Sequence, residues 1–100
     1  MKYYQQGDVL LTAVATAVGG KKLSHTRLAE GEATGHSHVA VGDAVELYEA
    51  ADGTLYLHAP QGCEVVHEEH DVIALPVGDY VVTRVQEYDH FAEEARAVRD

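Results

Sequence analysis

Four histidines stand in two close pairs, His36-Ser37-His38 and His67-Glu68-Glu69-His70. Imidazole is the commonest protein ligand for transition metals. On an extended segment, residues two apart project to the same side, so His36 and His38 can act together. If Glu68 and Glu69 are the two loop residues of a hairpin, His67 and His70 face each other with Cβ atoms about 5 Å apart. That register also sets Cys63 opposite Ala74 and Val65 opposite Val72, all on the histidines' face. On a single helical turn, the i, i+3 spacing keeps His67 and His70 close as well.

The candidate metal ligands are therefore His36, His38, His67 and His70. Three or four imidazole nitrogens at about 2.0–2.1 Å would suit a divalent transition metal such as zinc, nickel or iron. Asp43, Glu68 and Glu69 could add an oxygen ligand or orient an imidazole. Gly31 and Gly35 precede the first pair and free the backbone to fold over a strand bend. On that ground His36 is expected within reach of His67 or His70. The plainer alternative is a set of surface histidines beside acids, with no metal.

The glycine-rich turn, His36-Ser37-His38 and an acid five residues beyond the second histidine resemble the first cupin motif over about a dozen residues. Asp43 stands where that motif has glutamate, and the upstream glycine is displaced. The second cupin motif has Pro-x-Gly with histidine three residues on. Pro60-Gln61-Gly62 and Pro76-Val77-Gly78 match its first part, but Val65 and Val81 occupy the histidine positions. The resemblance implies a metalloenzyme with an open coordination position.

No Gly-x-Ser-x-Gly elbow, phosphate-binding loop, Cys-x-x-Cys pair or dinucleotide fingerprint occurs. The lone Cys63 reads as a small buried hydrophobe. His25, His58 and His90 read as isolated histidines. Seventeen acidic residues against seven basic ones give a net charge of −10. That argues against non-specific binding to nucleic acid or anionic membrane, since both attract basic surfaces, and leaves Lys21, Lys22 and Arg27 as the one local basic group. With one cysteine, no apolar leader and no run near the roughly 20 residues that span a bilayer, the expectation is a soluble cytoplasmic protein.

The elements that must position the histidines read as strands. Gln5-Gln6-Gly7-Asp8 reads as a turn leading into a strand over Val9–Val14, with a helix over Val9–Val18 as the alternative. Alternation marks further strands over Leu23–Glu30, Val39–Val41, Ala44–Ala50, Thr54–Ala59, Cys63–His67, Asp71–Val77 and Tyr80–Tyr88. Asp52-Gly53 between alternating runs is a hairpin signal. Turns every 8–12 residues or so predict a mainly β fold, a small antiparallel sandwich or barrel. Asp89 can cap a short C-terminal helix over about 90–99. The 100 residues make one domain, with a β core over about 1–89.

Three functions remain open at this point. The first-ranked is a non-catalytic binding or assembly module, with a homo-oligomer or protein partner expected from free sheet edges and spread tyrosines. The others are a metal carrier or structural metal protein, and a cupin-like metalloenzyme using the His36/His38 and His67/His70 pairs.

Overall fold

The computed structural model describes residues 2–15, 19–30 and 37–84. Ten strands form in this range: β1 (Tyr3–Gln6), β2 (Val9–Val14), β3 (Lys21–Lys22), β4 (Arg27–Glu30), β5 (Ser37–Val41), β6 (Glu46–Glu49), β7 (Leu55–Ala59), β8 (Cys63–His67), β9 (His70–Leu75) and β10 (Gly78–Arg84). The helix expected at 90–99 lies outside the described residues.

The strands make two antiparallel sheets. One has six strands in the order β1-β2-β10-β7-β6-β3, and the other has four, β4-β5-β8-β9. Alternation sends one set of side chains from each sheet inward. Val9, Leu11, Leu47 and Leu57 come from the larger sheet, and Leu28, Ala40, Val65 and Leu75 from the smaller. These form a single buried cluster. Burying an aliphatic side chain contributes about 1.5–3 kcal/mol, so this shared core holds the two sheets together. Tyr80 is also inside, edge-on to Tyr4 with ring centroids 6.0 Å apart. Its hydroxyl donates to Pro76 O at 2.7 Å, which satisfies the one polar atom it brings in.

The Asp52-Gly53 hairpin forms between β6 and β7. Gly53 has φ +89°, and Asp52 Oδ1 accepts from Thr54 N at 3.0 Å. Val9–Val14 is a strand and not the start of a helix, because it pairs with β10 along its whole length and with β1 over Val9 to Thr12.

Three local readings are corrected. Gln5 and Gln6, read as part of a turn, belong to a strand of their own, Tyr3–Gln6, that pairs with β2. Leu23–Glu30 is not one strand, since only Arg27–Glu30 is extended and paired with β5. Cys63 faces Leu75 and Val65 faces Ile73, one residue out from the simple hairpin register. A bulge between Val65 and His67 inserts the extra residue. It turns Ile73 inward and leaves Val72 53 % exposed.

Candidate metal centre

His67 and His70 end and begin adjacent strands across a two-residue turn, and they pair directly. The hairpin geometry expected at this point forms, although Glu-Glu lacks the residues that favour tight primed turns. His38 comes from β5, the neighbour of β8 in the same sheet. The ladder runs Val39 to Val66 and Ala40 to Val65, so His38 sits at the level of His67. Ring centroids are 4.3 Å apart for His38 and His67, 4.6 Å for His67 and His70, and 5.6 Å for His38 and His70. One nitrogen from each ring falls within 4.8 Å of the others. Three of the four histidines read as ligands thus meet, while His36 lies outside the described residues.

The depth of the three rings is graded. His38 is 4 % exposed, His67 half-buried and His70 exposed. Burial, then the neighbouring His67, pushes the His38 pKa below its ordinary value, against a pull upward from Asp8. A neutral imidazole is the form that binds metal.

The residues that complete the site come from the β1–β2 turn, which the sequence had marked only as a turn. Gln6 is 3 % exposed. Its amide nitrogen donates to Val65 O and to Asp71 O, each at 2.8 Å. Those two bonds fix which end of the amide is oxygen. Gln6 Oε1 lies 2.8 Å from His38 Nδ1, so Nδ1 carries the proton and donates. In the neutral ring, Nε2 then presents a bare lone pair. Anchoring of one ring nitrogen by an outer partner is the usual way a protein orients a ligating histidine.

Gly7 follows with φ +59°. A Cβ there would stand 2.6 Å from His70 Nε2 and 3.2 Å from His38 Cε1. The positive φ favours glycine, and any side chain there would have to push the exposed His70 ring aside and crowd His38. Asp8 comes next. Its Oδ1 lies 3.5 Å from His38 Nε2, and its Oδ2 accepts from Arg84 Nε at 2.9 Å. The hydrogen bond from Arg84 holds the Asp8 carboxyl below its ordinary pKa, so it is a carboxylate at neutral pH.

His67 is engaged differently. Its Nδ1 accepts from Glu69 N at 2.9 Å across the turn. A metal on Nδ1 displaces that bond. A metal on Nε2 moves the ring proton to Nδ1, where it opposes the Glu69 N–H. Coordination by His67 would therefore require the β8–β9 turn to adjust by either route.

The other sequence candidates fall elsewhere. Asp43 sits exposed in the turn after β5, at the opposite end of that strand from His38. His58 is not isolated: on the outward side of the six-stranded sheet, its Nδ1 lies 2.6 Å from Asp79 Oδ1 across the β7–β10 pair. Cys63 is buried, and desolvation pushes its thiol up to about 11, which makes it inert. A cavity of about 270 Å³ lies against His67, lined by Ser37, Val39, Val66 and Glu68.

The chain belongs to a family described as a domain of unknown function, DUF8820, whose model matches residues 5–85. That range takes in Gln6, Gly7, Asp8 and the three clustered histidines. No curated protein and no solved structure matches the chain.

Proposed function

We propose that this domain is a non-catalytic binding module that holds a divalent transition metal through His38, His67 and His70. The observation that carries the reading is the convergence of three ring nitrogens within 4.8 Å. A tetrahedral site with bonds of about 2.0–2.1 Å has ligands about 3.3 Å apart. The cluster closes to that size by small ring movements, and exposed His70 is the ring with most room to move. The prepared tautomer of His38 supports the same reading.

All-imidazole donors suit zinc, nickel, copper and iron better than magnesium or calcium, which take oxygen. Zinc or nickel titration of the purified domain, with elemental analysis, tests the proposal. One equivalent should bind, and His38→Ala or His67→Ala should abolish binding. At a free metal concentration of 100 times Kd, the stabilisation is about 2.7 kcal/mol. For a domain of this size that raises Tm by roughly 10–20 °C. An unchanged Tm with no bound metal would refute the proposal.

The second reading, a cupin-like metalloenzyme, draws on the cavity against His67, which a small substrate could enter beside the metal. It requires a water or substrate position open on the metal. The assembly part of the proposal is self-association through β3 and β4, end strands of the two sheets, since the other two, β1 and β9, pack against each other. Light scattering at high protein concentration should show dimers or larger species, and a monomer throughout would refute it.

A further inference from the structure

We propose that Asp8 is the fourth ligand, closing the three-histidine centre so that a bound metal ties the β1–β2 turn of one sheet to the other sheet. The inference rests on the metal-binding reading above and adds what completes the coordination shell.

The argument begins with two acceptors that face each other. Gln6 commits the His38 proton to Nδ1. The neutral ring therefore points a lone pair from Nε2 toward Asp8 Oδ1 at 3.5 Å. Between a bare nitrogen and a carboxylate oxygen no hydrogen bond forms, and the pair calls for a cation. A proton is one answer, but His38 is buried and has two imidazoles beside it, so holding a charge there is costly. A metal ion held by His38, His67 and His70 answers both groups once the half-exposed Asp8 carboxylate, which lies outside the 4.8 Å group of ring nitrogens, swings toward it. The 3.5 Å separation is already close to the ligand spacing of about 3.3 Å in a tetrahedral zinc site.

The rest of the turn is built to bring that oxygen in. Arg84, from β10, takes Oδ2, which leaves Oδ1 directed at His38. Gly7 lets the turn lie against the rings of His70 and His38, where a side chain would collide. Gln6 fastens the end of β1 to Val65 O in β8 and Asp71 O in β9. Three consecutive residues thus anchor an imidazole, clear the space and present a carboxylate.

The consequence is a closed site. A structural zinc site has four protein ligands, whereas a catalytic one keeps a position for water. With Asp8 bound, the centre is of the first kind, which favours the binding module over the metalloenzyme.

Cobalt(II) added to the full chain tests this, because four-coordinate cobalt absorbs visible light far more strongly than five- or six-coordinate cobalt. The wild type should give the intense band. Asp8→Asn keeps an acceptor for Arg84 but loses the anionic ligand. With water in the carboxylate's place the cobalt stays four-coordinate, so the band should shift in position, and cobalt binding should weaken by more than the roughly 10- to 100-fold that an outer-shell loss costs. Arg84→Met removes the carboxylate's holder and keeps the carboxylate, so it should retain the band with affinity reduced within that range. If Asp8→Asn does not fold, Asp8→Glu takes its place, and a displaced or weakened band is expected. Wild-type spectrum and affinity in the Asp8 variant, with His38→Ala abolishing binding, would overturn the fourth ligand and leave the histidine site standing. Failure of the wild type to bind cobalt at all would overturn both.

Discussion

Replacing Gln6 by leucine tests the arrangement most directly, because one side chain serves three partners. Its amide bonds Val65 O, Asp71 O and His38 Nδ1, all at 2.8 Å. The bonds to Val65 O and His38 are buried, and the bond to Asp71 O is partly so. A buried polar group left without its partner costs about 1–3 kcal/mol. Two such losses, with the burial of leucine offsetting part of them, give a net destabilisation of about 2–4 kcal/mol. That is a large share of the 5–15 kcal/mol or so that holds a typical domain folded. Urea unfolding in chelator should show a lower midpoint with an unchanged slope. With metal present, affinity should fall roughly 10- to 100-fold, as the His38 ring loses the partner that sets its tautomer. Gln6→Glu sharpens the test at neutral pH. It sets a carboxylate oxygen against the Val65 and Asp71 carbonyl oxygens, so it should destabilise at least as much as leucine despite its matching shape. A loss below about 0.5 kcal/mol for Gln6→Leu, the range of an inconsequential surface change, would refute the reasoning.

In chelator, stability should fall as pH drops below about 6.5. The folded pKa of His38 is depressed by burial, so its contribution is present above the unfolded value and lost as pH falls through the folded one. Melting curves from pH 7.5 to 5 should show this, and His38→Asn should flatten the dependence. Gly7→Ala and Gly53→Ala both place alanine at positive φ, each costing about 1–2 kcal/mol in backbone strain. Only Gly7→Ala meets a ring at 2.6 Å, while nothing stands within 4 Å at Gly53. Calorimetry with metal should therefore show lost affinity for the first and none for the second, and equal affinities would contradict the packing. Metal binding should also move the Glu69 amide resonance and speed its hydrogen exchange, since the His67 acceptor is taken away. A Glu69 signal unchanged at metal saturation would remove His67 from the site.

Local chemistry determined much of this protein. Strand alternation with regularly spaced turns specified an antiparallel β domain, because a two-residue period with one apolar face has few other ways to be buried. Asp52-Gly53 specified its hairpin because glycine accepts the positive φ. The pairing of His67 with His70 was legible for the same reason, as two residues of turn separate them and no distant contact is needed. Only the tertiary structure decided the rest. The bulge between Val65 and His67 exchanges Val72 for Ile73 in the core, and a one-residue shift leaves no mark in an alternating pattern rich in valine and alanine. His38 reached the pair through the placement of β5 beside β8, which is a matter of sheet order. Gln6, Gly7 and Asp8 looked like an ordinary turn since their partners lie 32 to 76 residues away in the chain. What a glutamine amide does depends on the carbonyls it meets, and the packing of the two sheets supplies them.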